Sequence, residues 1–339
     1  DGIRDSVASR GLGDVYKRQI LGNTMNRYNT VFSMLVIIVS QVASADAHEQ
    51  CEPSRWGADD EIGSANLITP ASVAEASKLV TTGRTYSLGI TIDSTTPAFP
   101  PRSLSLQVVQ PNQQGGQIPF PGASYNDDVF QGWFGIGSQI DGLGHLGTDD
   151  GHYYNCNHLK DFAPITGLTK MGIEKIPPLV ARGVVLDMAG HFGVESMEAG
   201  QYFGVDDVKA VAKRQGTPLR RGDVVLFHTG WTDAKLKSEP EVWGSVEPGQ
   251  SEEVARYMAE LDVLAVGADT WGVDVVPPQH ESRPFYGHVI LLKEHGIYIL
   301  ETMNTGPLVR DGVFEFMFVL GQAKVRGAVQ MIINPVAIR

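Results

Sequence analysis

Cysteine and clustered positive charge are scarce in this sequence. The 339 residues contain 2 Cys, too few for a disulfide framework in a chain of this length. The formal net charge is −12, and no run of Lys and Arg could neutralise nucleic-acid phosphates. We therefore exclude nucleic acid as a partner.

Several common catalytic and nucleotide-binding motifs are also absent. The sequence has no nucleophile elbow, no phosphate-cradling glycine loop, no dinucleotide fingerprint and no paired-cysteine zinc motif. Glycine-rich stretches exist, but none lies between a strand and a helix with the spacing that these motifs require. The chemistry must therefore come from another arrangement of residues.

The N-terminal region has the features of an exported protein. We interpret residues 1–24, which show no helical or strand periodicity, as a non-native leader. Residues 25–47 read as a signal peptide, with Arg27 in a cationic start, an apolar run over 31–39 and a small-residue cleavage site ending at Ala47. An uncleaved anchor is the alternative, although the apolar run is short for a membrane span. We expect a periplasmic or secreted protein without a stable membrane anchor, in which Cys51 and Cys156 could pair.

Residues 48–339 alternate between strand and helix patterns. Buried strands are predicted over 183–189, 223–228 and 263–267, with later strands over 297–301, 314–320 and 329–333. Helices are predicted over 205–213, 251–261 and 288–295. This order predicts one α/β domain, with a central mixed β-sheet and flanking helices.

The first part of this domain is less regular. Thr69 and Pro70 are predicted to open a helix that Gly83 ends, and residues 86–92 are predicted to form a strand. Residues 97–132 are rich in Pro, Gly, Gln and Asn. We predict that they form a long loop or lid over a site.

The densest polar motif runs from Gly135 to Gly147. Within it, Gln139, Asp141 and His145 have the same parity, so in an extended segment they would share one face. A carboxylate and an imidazole on one face are typical of a metal site or a general-base site. A glycine-rich polar loop without chemistry is the alternative.

His288 and Glu301 form a second candidate pair. His288 opens a predicted helix and Glu301 ends the strand that follows it, so packing can bring both to the rim of the sheet. Three other histidines, His191, His228 and His280, are better interpreted as hydrogen-bonded polar groups or loop residues.

The segment from Ser138 to His145 resembles the signature of the cyclase family of metal-dependent hydrolases, which includes bacterial kynurenine formamidases and isatin hydrolases. The family signature reads His-x-Gly-Thr-His-x-Asp-x-Pro-x-His; Gly137, Asp141 and His145 match it, and Ser138 replaces Thr. The resemblance covers nearly all of the chain from about residue 54. It implies the swivelling β/α/β cyclase-family fold, a small-molecule substrate and a homo-oligomer.

Two departures from the signature affect the implied metal site. Gly135 and Gln139 stand where the family has two ligand histidines. The resemblance implies one divalent ion, manganese or zinc, held by Asp141, His288, Glu301 and Gln139. As an alternative, Gln139 hydrogen-bonds a neighbouring ligand or a loop carbonyl instead of the ion.

The implied mechanism is hydrolysis of an amide, lactam or related carbonyl compound, with His145 as the catalytic base. Trp133, Phe134 and Trp231 are predicted to line an aromatic substrate pocket. Two other functions remain open: a non-catalytic periplasmic binding protein on the same fold, and a metal-dependent lyase or dehydratase.

Overall fold

The computed structural model describes residues 51–110 and 125–339. The predicted leader and signal peptide, residues 1–24 and 25–47, lie outside the described residues. In the part of the chain that the structure describes, no helix combines the length and the apolar character needed to cross a membrane.

The strands, in chain order, are β1 (Thr85–Ser87), β2 (Leu104–Val109), β3 (Asp127–Gly132), β4 (Gln139–Asp141), β5 (Leu179–Asp187), β6 (Tyr202–Phe203), β7 (Val224–His228), β8 (Gly249–Gln250), β9 (Ala265–Ala268), β10 (Tyr298–Glu301), β11 (Glu315–Leu320), β12 (Gln330–Ile332) and β13 (Val336–Ile338). The α-helices are α1 (Pro70–Ser77), α2 (Leu159–Phe162), α3 (Met188–Phe192), α4 (Val205–Gln215), α5 (Trp231–Lys235), α6 (Pro240–Trp243), α7 (Glu252–Glu260), α8 (Tyr286–His288) and α9 (Gly306–Arg310). Short 3₁₀ helices span Gly63–Leu67, Tyr154–Cys156 and Ile173–Lys175, and a π-helix, Val289–Glu294, continues α8.

Nine strands form one mixed sheet in the order β1-β13-β11-β5-β7-β9-β10-β4-β12. The central strands β5, β7, β9 and β10 run parallel to one another. On one side of them, β4 is antiparallel to β10, and β12 is antiparallel to β4. On the other side, β11 is antiparallel to β5, β13 to β11, and β1 to β13. All five residues of β7 are buried, as expected for a parallel strand covered on both faces. The predicted single α/β domain with a mixed sheet is confirmed.

Helices α4 and α7 cover the sheet through one apolar stripe each. In α7 the buried residues are Val254, Ala255, Met258 and Ala259, at the spacing of one helical face. Ser251 caps this helix by accepting a hydrogen bond from the Val254 N–H. The helix predictions over 205–213 and 251–261 are therefore confirmed, and the helix over 288–295 is confirmed with its second part in the π form.

The region before the motif differs from its prediction. Residues 104–109 and 127–132 form the antiparallel hairpin β2–β3 rather than a continuous loop; the residues between 110 and 125 lie outside the described part. The alternation of apolar and polar residues from Leu104 to Val108 is a strand pattern that the surrounding Pro, Gly and Gln obscured. Leu106 pairs with Phe130, and these two side chains are 59% and 44% exposed.

Two predicted elements are shorter than expected. Helix α1 begins at Pro70 with a capping box between Thr69 and Ser72, but it ends at Ser77, before Gly83. The strand predicted over 86–92 ends at Ser87, because the Ile90 N–H turns away to donate to Ser138 Oγ. The chain beyond β1 therefore runs toward the motif.

Cys51 and Cys156 form a disulfide. The bond joins the start of the described chain to the 3₁₀ helix Tyr154–Cys156. Nearby, Asn155 accepts a hydrogen bond from the Ser54 N–H at 2.7 Å. The N-terminal segment is thus tied to the loop that follows the motif.

Candidate metal and catalytic site

Strand β4 carries the first two site residues. It lies between β10 and β12, with Gln139 opposite Glu301 and Asp141 opposite Gln330. Directly opposed residues share a face of the sheet, so these four polar side chains all project to one side. Ile140 projects to the other side and is fully buried in the core. The predicted shared face of Gln139 and Asp141 follows from this geometry.

His288 approaches the same face from the end of α8. Its Nε2 lies 3.2 Å from Glu301 Oε1 and 3.9 Å from Asp141 Oδ2. Its Nδ1–H donates to Asp274 Oδ2 at 2.9 Å. Because Asp274 occupies one ring nitrogen, the other is directed at the two carboxylates, an arrangement typical of a metal-binding histidine.

Asp141, His288 and Glu301 could hold one metal ion. One ligand atom of each lies within 4.8 Å of the others, and all three residues are buried. Asp141 Oδ2 is buried and has no hydrogen-bond partner in the described chain. A buried carboxylate oxygen without a partner is costly unless a cation compensates it. The donor set therefore fits a divalent ion.

The charges at the site are compatible with a bound cation. Burial, and then the negative charge of Asp141, raise the pKa of Glu301. Burial alone would lower the pKa of His288, but the hydrogen bonds and charges of Asp274 and Glu301 outweigh it and raise that pKa well above its ordinary value. Several carboxylates thus share a small buried volume, which favours a positive charge among them, either a protonated His288 or a bound cation.

The contacts of Gln139 differ from those of a residue that binds a metal through its amide oxygen. Its Nε2 donates to Glu301 Oε2 at 2.5 Å and is 3.3 Å from Asp141 Oδ1. The amide therefore presents its N–H groups, not its oxygen, to the two carboxylates. This geometry corresponds to the alternative in which Gln139 hydrogen-bonds neighbouring ligands and so orients them.

His145 lies beside the three candidate ligands. Its Nε2 is 3.9 Å from Asp141 Oδ2, and its side chain is 19% exposed. Burial is the main cause that lowers the pKa of His145, and it outweighs the opposing charge of Asp141. A neutral imidazole can accept a proton, as a general base must.

Gly135 leaves room for two other side chains. A Cβ at this position would lie 2.7 Å from Gln330 Oε1 and 2.8 Å from Arg102 Nη1, closer than real Cβ atoms approach. The same Gln330 donates through Nε2 to Asp141 Oδ1 at 2.7 Å. Arg102 and Gln330 thus occupy the space that a side chain from residue 135 would fill.

The three aromatic residues predicted to line a substrate pocket do not line the small cavity beside Gln139. Trp133 is 47% exposed, and Trp231 is 2% exposed and packs into a tryptophan cluster. Phe134 packs against the main core. The cavity beside Gln139 is instead lined by Phe99, Trp243 and Trp271, together with Pro97, Ala98, Arg102, Gly135, Gly137 and Thr302.

The structure adds residues that the sequence did not single out. These are Asp274 and Gln330, which contact His288 and Asp141, and Arg102 in the cavity wall. They come from segments far apart in the chain, and no spacing rule connects them. Two of the other histidines have their own partners: His228 Nδ1 is 2.8 Å from Thr305 Oγ1, and His191 Nε2 is 3.1 Å from Asp207.

Solved structures with the same fold include enzymes and proteins named as cyclases. The crystal structure of a novel cyclase is 27% identical to the chain, with a TM-score of 0.76, and the match covers 84% of this chain and 98% of that one. Isatin hydrolase A from Ralstonia solanacearum is 18% identical with a TM-score of 0.58, covering 79% and 97%. Isatin hydrolase A from Labrenzia aggregata, bound to benzyl benzoate, is 17% identical with a TM-score of 0.56, covering 75% and 93%.

No curated protein sequence gives a significant match. The Cyclase family model, however, matches residues 86–275, which is more than half of the chain. That span begins within β1 and includes the motif from Ser138 to His145 and Asp274. The chain therefore belongs to the cyclase family.

Proposed function

We propose that this protein is a metal-dependent hydrolase of an amide, lactam or related carbonyl compound. The observation that carries the proposal is the buried cluster of Asp141, His288 and Glu301, with an unpartnered carboxylate oxygen and the base His145 next to it. Isatin hydrolases share the fold, which is compatible with this reaction class.

Each residue has a separate task in the proposed mechanism. Asp141, His288 and Glu301 would hold the ion, Asp274 keeps the His288 ring oriented, and Gln139 orients the carboxylates. A bound divalent ion makes water more acidic and polarises a carbonyl group. His145 accepts the proton at Nε2. The two carboxylates make the ligand set oxygen-rich, which supports manganese, with zinc as the second candidate.

A substrate screen tests the reaction class. The metal-loaded protein would be incubated with N-formyl-arylamines, with isatin-like lactams and with hydroxy acids, and the products would be identified by mass spectrometry. We expect addition of water to one of the first two classes. Loss of water from hydroxy acids alone would instead establish a lyase, and no turnover of any class would favour the binding protein.

We also propose that the protein functions outside the cytoplasm. The signal-like sequence over 25–47 and the disulfide between Cys51 and Cys156 support this, since disulfides persist in oxidising compartments. A homo-oligomer is proposed as well. The exposed apolar residues Leu106, Val108 and Phe130, on one face of the β2–β3 hairpin, support association of two copies.

Removal of the metal should lower both activity and thermal stability. An ion that binds only the folded state stabilises that state. The gain in the free energy of unfolding grows with the logarithm of the ratio of the ion concentration to Kd. Dialysis against a chelator should therefore abolish hydrolysis and lower Tm, and added manganese or zinc should restore both. Full activity in protein that elemental analysis shows to be metal-free would contradict the mechanism.

The pH dependence of kcat/KM should reflect the pKa of the proposed base, His145. Because burial lowers the pKa of His145, the imidazole stays neutral below the ordinary histidine pKa of about 6.5. Its function as a base is present above its own pKa and is lost as pH falls through that value. We expect the acidic limb of the kcat/KM profile to lie below about pH 6.5. An acidic limb above that pH would exclude His145 as the titrating base.

A further inference from the structure

The carboxylate of Asp274 is held at both of its oxygens. Its Oδ2 accepts hydrogen bonds from the ring Nδ1–H of His288 at 2.9 Å and from the backbone N–H of the same residue at 3.2 Å. Its Oδ1 accepts a hydrogen bond from Gln250 Nε2 at 2.9 Å. A line of hydrogen bonds therefore runs from the candidate metal site through His288 and Asp274 to the amide of Gln250.

This line of hydrogen bonds is shielded from solvent. Gln250, Asp274 and His288 are all buried. Helix α8 also packs closely on Asp274, because a Cβ at Gly287 would lie 2.0 Å from Asp274 Oδ1. Since bulk water has little access to this carboxylate, it would not replace a lost protein donor.

The backbone next to Asp274 is strained. Val273 has a φ of 59°, in the left-handed region that a β-branched residue rarely adopts, and its side chain is buried. Such a conformation persists only where neighbouring contacts enforce it. Strand β8 supplies one of these contacts, because the Gln250 N–H donates to the Val273 carbonyl at 3.0 Å. Gln250 thus holds the turn through its backbone and Asp274 through its side chain.

Glu247 lies just before Gln250 in the chain and holds the ends of the same turn. It exchanges two backbone hydrogen bonds with Val276, each 3.0 Å long. Its buried carboxyl oxygen Oε2 accepts from the backbone N–H groups of Trp271 and Gly272 at 2.7 and 3.2 Å. The turn is therefore fixed at both ends, and the Gln250 amide is directed at the residue between them that contacts His288.

We propose that Gln250 is a positioning residue of the metal site, which fixes Asp274 and thereby the ring of His288. A hydrogen bond to one carboxylate oxygen restricts rotation of the carboxylate, so the other oxygen stays directed at the ring Nδ1–H. His288 Nε2 then remains directed at the other candidate ligands. The proposal rests on the metal site of the proposed function. It adds that metal affinity depends on a residue that acts through Asp274 rather than at the ion.

Metal titration of two Gln250 variants tests the proposal. Gln250→Met keeps the length of the side chain and removes the donor. It should weaken the binding of manganese and of zinc about tenfold, the lower end of the effect of removing a partner of a metal ligand. Gln250→Asn withdraws the amide by one methylene and should weaken binding in the same direction, so this milder variant decides if the Met variant does not fold. Competition with a chromophoric chelator measures Kd.

Gln322→Met is the matched control. Gln322 is also buried, and it donates to the backbone carbonyls of Ile173 and Ile176 at 3.3 and 2.8 Å. In the described chain its Oε1 has no hydrogen-bond partner, as is true of Gln250 Oε1. Its replacement should lower the Tm of the metal-free protein and leave metal affinity unchanged, because its partners lie outside the candidate ligand set.

A double-mutant cycle tests the route through Asp274. If Gln250 acts through Asp274, Gln250→Met should weaken metal binding little further in an Asp274→Asn background. Wild-type metal affinity in folded Gln250 variants would overturn the inference, and so would effects of the two substitutions that add in full. Failure of the wild-type protein to bind either metal would refute the metal site itself, and this inference with it, so the two failures are distinguishable.

Discussion

Asp141→Asn should abolish metal binding and reduce kcat/KM about a thousandfold or more, because a metal contributes several kcal/mol to such reactions. The substitution keeps the size of the side chain. It also keeps the Oδ1 acceptor for the Gln330 N–H group. What it removes is the buried Oδ2 charge that has no partner in the described chain. Elemental analysis and steady-state kinetics measure the two effects.

Thermal unfolding of Asp141→Asn provides the sharper comparison. In the metal-free protein the variant should be at least as stable as wild type, because one buried negative charge beside Glu301 is gone. Added metal should raise the Tm of wild type and leave that of the variant unchanged. Asp150→Asn, the same change at an exposed position beyond the motif, should respond like wild type. Wild-type metal content in Asp141→Asn would remove Asp141 from the ligand set.

The central part of the fold could be predicted from the sequence because its signals are local. Continuous apolar runs correspond to β5, β7 and β9, and amphipathic spacing with a serine cap corresponds to α7. The β2–β3 hairpin could not be predicted so easily. Its strands are largely exposed and pair only with each other, so their apolar pattern is weak and the intervening composition resembles a loop.

The candidate site could be predicted only in part, for a similar reason. Gln139 and Asp141 share a face because strand side chains alternate, and this rule needs no tertiary information. The contacts of Asp274 with His288 and of Gln330 with Asp141 depend on packing between segments 14 and 189 residues apart. The aromatic residues illustrate the limit, since Trp231 packs inward, whereas Phe99 and Trp271 line the small cavity beside Gln139.

His145→Ala should reduce kcat about a hundredfold or more while metal content stays at the wild-type level. The geometry explains why kcat should fall while the metal content stays the same. His145 Nε2 lies 3.9 Å from Asp141 Oδ2, but the group of three residues that could share an ion consists of Asp141, His288 and Glu301. Loss of the imidazole therefore removes a proton acceptor and leaves the ligands in place. Single-turnover kinetics and elemental analysis on the same preparation measure both quantities.

Two further measurements distinguish a base from a merely structural residue. The acidic limb of the pH profile should disappear in His145→Ala, because the group that titrates there is absent. Added imidazole should restore part of the rate, since the side chain that it replaces is 19% exposed and leaves an accessible space. His152→Ala is the matched control, because His152 lies on the same segment, pairs with Asp150 and is 37% exposed. If both histidine variants kept the wild-type rate at full metal loading, the proton acceptor would have to be a group other than His145.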